Sequence, residues 1–86
     1  MNAKNRNTLK SIFHNPVKSD LLWKEIESLF KALGGEVSEG KGSRVRVALN
    51  GIRAVFHRPH PHKVTDKGAL LAVRRFITTA GVNYDL

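Results

Sequence analysis

Apolar residues fall at helical spacing in the first third of the chain. Leu9, Ile12 and Phe13 form a short stripe that Asn15-Pro16 stops, which predicts a brief helix laid on the main domain; residues 1–7 are polar and are expected to fray. Leu22, Ile26, Leu29, Phe30 and Leu33 make a longer stripe with Trp23 at its edge. Ser19 or Asp20 is placed to cap this helix, and Gly34-Gly35 ends it, because glycine accepts the left-handed conformation past a helix end. The period then drops to two. A short strand over 36–39 and a Gly40-Lys41-Gly42-Ser43 loop lead into an alternating strand over 44–49. Asn50-Gly51 reads as a type I′ hairpin turn, and a third strand over 52–58 ends at Pro59 and Pro61. After a loop to Thr65, Thr65 or Asp66 caps a last helix whose stripe is Ala69, Val73, Ile77 and Ala80, supported by Leu70 and Phe76 and closed by Gly81. The order α-α-β-β-β-α predicts an α+β fold, one three-stranded antiparallel sheet with helices on a single face.

Eighty-six residues allow one domain with one core, here a 19–82 core preceded by a 1–18 extension carrying the short helix. With no cysteine, disulfides and thiolate metal sites are excluded. The longest apolar run, residues 69–73, is far too short to cross a bilayer. No signal-like segment opens the chain, so a cytoplasmic location without membrane contact is expected. The net charge of +8 matters through its position. Residues 41–75 hold Lys41, Arg44, Arg46, Arg53, Arg58, Lys63, Lys67, Arg74 and Arg75 against the single acid Asp66. Such a contiguous basic stretch favours a phosphate backbone as partner, although a basic surface kept only for solubility has the same composition.

The two-residue turn sets which residues face each other. Leu49 pairs with Ile52, Val47 with Ala54 and Val45 with Phe56, a wholly apolar or small face that belongs to the core. The opposite face carries Ala48 with Arg53, Arg46 with Val55, and Arg44 with His57. Helices cover one face only, so this second face is open. Arg44 and His57 become cross-strand neighbours. A guanidinium holds a phosphate through two hydrogen bonds, and an imidazole moves protons near neutral pH. The same pattern also fits a binding face without catalysis.

His57-Arg58-Pro59-His60-Pro61-His62 places three histidines in six residues, yet it lacks zinc-site spacing and a nearby carboxylate, so no metal or other cofactor is expected. His14, beside Asn15-Pro16, reads as a surface histidine. Ser43 has no triad partners, the 40–43 loop is too short for a phosphate-binding P-loop, and the acids are too scattered for a catalytic pair.

From about 19 to 82 the chain resembles the HicA family of bacterial toxin–antitoxin toxins. The resemblance rests on Leu33-Gly34-Gly35, Gly42-Ser43, the segment Phe56-His57-Arg58-Pro59-His60-Pro61, Gly68 eight positions after His60, and Ala80-Gly81-Val82. It implies a fold like a double-stranded-RNA-binding domain and a ribosome-independent, metal-free RNase acting on mRNA. It also implies a cognate HicB-like antitoxin that covers the active face. Typical members have Gly-Ser-His where this chain has Gly42-Ser43-Arg44. His57, opposite Arg44, brings an imidazole to nearly the same place, and His60 matches the family's second histidine. The expected site is therefore His57, His60 and Arg44 for catalysis, with Lys41, Ser43, Arg46, Arg53 and Arg58 on the RNA. A non-catalytic RNA-binding module, or a degenerate toxin acting only through its antitoxin, are the alternatives.

Overall fold

The structure, a computed structural model, describes residues 1–59 and 63–82. Its elements are α1 (Ala3–Ile12), α2 (Trp23–Ala32), β1 (Glu36–Glu39), β2 (Arg44–Leu49), β3 (Ile52–His57) and α3 (Lys67–Thr79). The strands form an antiparallel sheet in the order β1-β2-β3, with β2 central. This is the expected α+β architecture, similar to a double-stranded-RNA-binding domain with one helix added in front.

Asn50 and Gly51 both take positive φ, 51° and 81°, as a type I′ turn requires. The β2–β3 register follows: Leu49 faces Ile52, Val47 faces Ala54, Val45 faces Phe56 and Arg44 faces His57. Val45, Val47, Leu49 and Phe56 are buried, and they meet Ile26, Leu29 and Phe30 from α2 and Leu70, Val73, Phe76 and Ile77 from α3 in one cluster. Phe30 lies at its centre, with ring centroids 5.7 Å from Phe56 and 5.6 Å from Phe76. The Asn50 side chain also donates to the Ala80 carbonyl at 2.9 Å, tying the hairpin to the end of α3.

Both domain helices end in the same way. Gly34 at φ 92° follows α2, and the amides of Gly34 and Gly35 return to the carbonyls of Lys31 and Phe30. A Cβ on Gly35 would lie 2.9 Å from the Phe30 carbonyl oxygen and 3.2 Å from that of Ala48, so only glycine lets the helix end approach β2 this closely. Asp66, one of the two expected caps, accepts from the Ala69 amide at 2.7 Å and starts α3.

Three expectations near the N-terminal helices need correction. Residues 1–7 do not fray as a unit, since α1 begins at Ala3 and Asn2 caps it by accepting from the Asn5 amide at 2.8 Å. Polarity misled there: Asn5 and Thr8 are buried one turn before Leu9 and Ile12, and their polar atoms bond to Ser28 and to the Lys4 carbonyl. Neither Ser19 nor Asp20 caps α2, whose first residue is Trp23 and whose N-cap, Leu22, makes no side-chain bond. Residues 21–23 instead pair with 63–65, so the Trp23 amide donates to the Lys63 carbonyl at 3.0 Å. Trp23 is buried at 4% exposure rather than at the edge, packed on Phe30 and Phe56. The third strand ends at His57, one residue short of 58, although the Arg58 amide still donates to Ser43.

Candidate nucleic-acid interface

Alternation along the strands divides the sheet into a helix-covered side and an open side. Three cross-strand rows lie on the open side. Glu36, Ala48 and Arg53 form the first, and Ser38, Arg46 and Val55 the second. Arg44 and His57 form the third, and the place beside them on the β1 side belongs to Gly40, whose amide donates to the Arg44 carbonyl at 2.9 Å. Arg44, Arg46, Arg53, Val55 and His57 are all exposed, and a shallow groove of about 480 Å³ runs past Ser38, Arg46, Arg53 and Val55.

Arg44 and His57 form a non-hydrogen-bonded pair, because the flanking Ser43–Arg58 pair carries the bond. Facing Cα atoms in such a pair are roughly 4.5 Å apart, the closer of the two antiparallel spacings. Both side chains leave the sheet on the same side and can reach one phosphate together. Gly40 keeps that place clear, since a Cβ there would come within 3.0 Å of the Arg44 Cβ. The tight turn at 41–44, closed by the Arg44 amide on the Lys41 carbonyl at 3.2 Å, puts Lys41 and Ser43 at the same end of the sheet. Glu36, Ser38 and Gly40 were the members of this face that strand periodicity alone passed over. Their signal was the β1–β2 register, which a loop without a defined turn type leaves open.

Arg58 is placed differently. Its guanidinium holds Glu27 of α2 through two bonds of 2.8 and 3.0 Å, and the carboxylate of Glu39 at 2.7 Å. Glu27 also accepts from the Trp23 indole N–H. The Arg58 hydrogen bonds hold the Glu27 carboxyl below the usual carboxylate range against the opposing effect of burial, and the same contacts raise the Arg58 pKa. Arg74 is committed as well, to the Ile12 and His14 carbonyls at 2.9 Å, where it caps the end of α1. Among the described residues Lys41, Arg44, Arg46 and Arg53 have no carboxylate partner. Their charge is free for a ligand.

His14 is exposed, its ring nitrogen 3.1 Å from the Pro16 carbonyl, and is remote in sequence from the sheet face. His60 and His62 lie outside the described residues. Among the described residues no three His, Asp or Glu side chains converge as a metal site, and no helix is long and apolar enough to cross a membrane.

The family model described as the HicA toxin of bacterial toxin–antitoxin matches residues 23–82, from the first residue of α2 to just past the end of α3. No curated protein and no solved structure matches the chain. With well over half its length matched, and with the matched span forming the helix–three strands–helix body that carries the open basic face, the chain belongs to the HicA toxin family.

Proposed function

We propose that this toxin is an endoribonuclease that cleaves mRNA by histidine acid–base chemistry without a metal, and that a HicB-like antitoxin neutralises it in the cytoplasm. The observation that carries the reading is the Arg44–His57 pair on an exposed basic sheet face. His57 takes the proton of a ribose 2′-hydroxyl, whose oxygen attacks the adjacent phosphorus. Arg44 holds the non-bridging oxygens and stabilises the charge that grows on them. The 5′-oxygen departs with a proton, His60 being the candidate donor. The fragments then carry a 2′,3′-cyclic phosphate and a 5′-hydroxyl, and DNA, which lacks the nucleophile, is spared. Lys41, Ser43, Arg46 and Arg53 follow the backbone. Arg58 entered the RNA-contacting set on its sequence position, but its two carboxylate partners favour a bracing role.

One feature of the family resemblance favours a second reading: Arg44 stands where the resemblance puts the motif histidine, as expected of a module that binds RNA without cutting it. Four single His→Ala variants at 14, 57, 60 and 62 separate the two. His57→Ala is expected to slow cleavage by roughly 10²- to 10⁴-fold with an unchanged melting temperature, His60→Ala by less, and the other two hardly at all. Normal cleavage by His57→Ala with a dead His60→Ala would move the chemistry to His60. RNA that is bound but never cut by the wild type would support the second reading.

A further inference from the structure

β3 is an outer strand of the sheet, and its free edge has a definite chemistry. The Arg58 amide bonds Ser43, so alternate residues of β3 turn their backbone toward β2, and Arg53, Val55 and His57 turn theirs outward. Among the described residues these outward N–H and C=O groups have no partner. Beside this edge a groove of about 280 Å³ runs between β3 and α3, floored by Ile52, Ala54, Phe56, Ala72 and Phe76 and flanked by Arg75. Val55, at 55% exposure, is the most exposed large apolar side chain of the sheet. An unpaired edge next to an apolar groove against a helix is the arrangement by which folded domains take up an extended peptide as an extra strand.

We infer that the β3 edge receives an extended, carboxylate-bearing segment of the antitoxin as a fourth strand. The choice of occupant rests on the antitoxin reading above; the geometry of the edge does not. Charge selects it: Arg75 lines the groove, Arg53 stands exposed on the same edge strand, and among the described residues no acid lines it. The added strand would alternate, with apolar side chains over Ala72 and Phe76 and carboxylates on the open face beside Arg53. A second copy fits poorly. Antiparallel β3–β3 pairing about Val55 sets Arg53 against His57 and joins two chains of net charge +8. The other edge, β1, is four residues long and carries Glu36 and Glu39, which repel an acidic strand. A strand seated on β3 lies directly alongside His57, so occupancy of the edge would place antitoxin at the border of the candidate catalytic face.

The test uses the full chain co-expressed from its native operon with the proposed HicB-like antitoxin, with hydrogen exchange of the Arg53, Val55 and His57 amides and the affinity of the complex. Those three amides are expected to become protected in the complex. Val55→Pro removes an outward donor while leaving the bonds to β2, and should weaken the complex about tenfold or more, while Val55→Thr should not. Arg53→Glu with Arg75→Glu gives a second measure that keeps the backbone, with a loss of similar size. A complex that forms with those amides unprotected and with Val55→Pro at wild-type affinity overturns the inference and leaves the antitoxin reading standing. Absence of any complex removes both. Protection of the amides in the isolated protein at high concentration, with dimers in ultracentrifugation, would assign the edge to a second copy instead, and protection by single-stranded RNA alone would assign it to substrate.

Discussion

Replacing Arg58 by methionine should destabilise the protein far more than it weakens RNA binding. The substitution keeps the apolar stem and removes the guanidinium, leaving Glu27, 14% exposed, with the Trp23 indole as its remaining donor among the described residues. A charge-assisted bond contributes about 1.5–3 kcal/mol where water is excluded and about 0.2–1 kcal/mol where it is not. Arg58 is itself 36% exposed and Glu39 67%, so the Glu27 contact belongs low in the first range and the Glu39 contact low in the second. About 2 kcal/mol in total follows. In a domain of this size each kcal/mol moves the melting temperature by roughly 4–8 °C, so a fall of about 8–16 °C is expected in thermal unfolding at pH 7. Acid should reveal the same pair. The Glu27 carboxyl titrates below its ordinary 4.5 in the folded state, so its contribution is complete above that value and disappears as pH falls through the lowered one. Wild type should therefore lose stability on acidification below about pH 4.5, and Arg58→Met should lose less over the same interval. RNA affinity per folded molecule at low salt should stay within about threefold of wild type. A variant that melts within about 2 °C of wild type with the same acid profile, yet binds RNA tenfold more weakly, would show that Arg58 faces the backbone and that the carboxylate contacts contribute little.

Arg46→Glu with Arg53→Glu should leave the melting temperature nearly unchanged, since both side chains are exposed, while weakening RNA binding and flattening its salt dependence in a titration at several ionic strengths. Asn50→Ala should cost about 1–2 kcal/mol in denaturant unfolding, because it forces alanine to φ 51° and deletes the bond to the Ala80 carbonyl; Asn50→Gly, which keeps the turn and loses only the bond, should cost less. Cleavage should continue in EDTA, and a loss restored by a divalent ion would refute a metal-free mechanism.

The parts of this fold that were legible in sequence are those governed by local rules. Asn50-Gly51 allows one kind of turn, that turn allows one register, and the register decides that Arg44 faces His57. Asp66 and Gly81 mark α3 by cap chemistry that also operates within a few residues. The misreadings occurred where a distant segment met the same requirement. Ser19 and Asp20 are good cap residues, but the open donor at the start of α2 is met by the Lys63 carbonyl, forty residues away in the chain. Asn5 and Thr8 are polar, yet a helix that buries Leu9 and Ile12 must place the preceding turn somewhere, and Ser28 receives it.

The candidate site divides in the same way, and the division bears on how the face works. Nine basic residues between 41 and 75 look equivalent as charge, but parity and partners separate them. Arg44 and Arg46 stand two apart on β2 and Arg53 faces Ala48, two positions further on, so the pleat sends all three to the open side, away from every helix that could supply a carboxylate. Arg58 is one position past His57, and that single step turns it to the helix side, where Glu27 and Glu39 hold it. The pair His57-Arg58 thus has one side chain free for chemistry and the other anchored to α2 and β1. The imidazole proposed as catalytic would need a fixed origin more than neighbours of its own, and the adjacent ion pair pins the strand end from behind. Nothing in the local spacing reveals that Glu27, thirty-one residues earlier, is the group that does so.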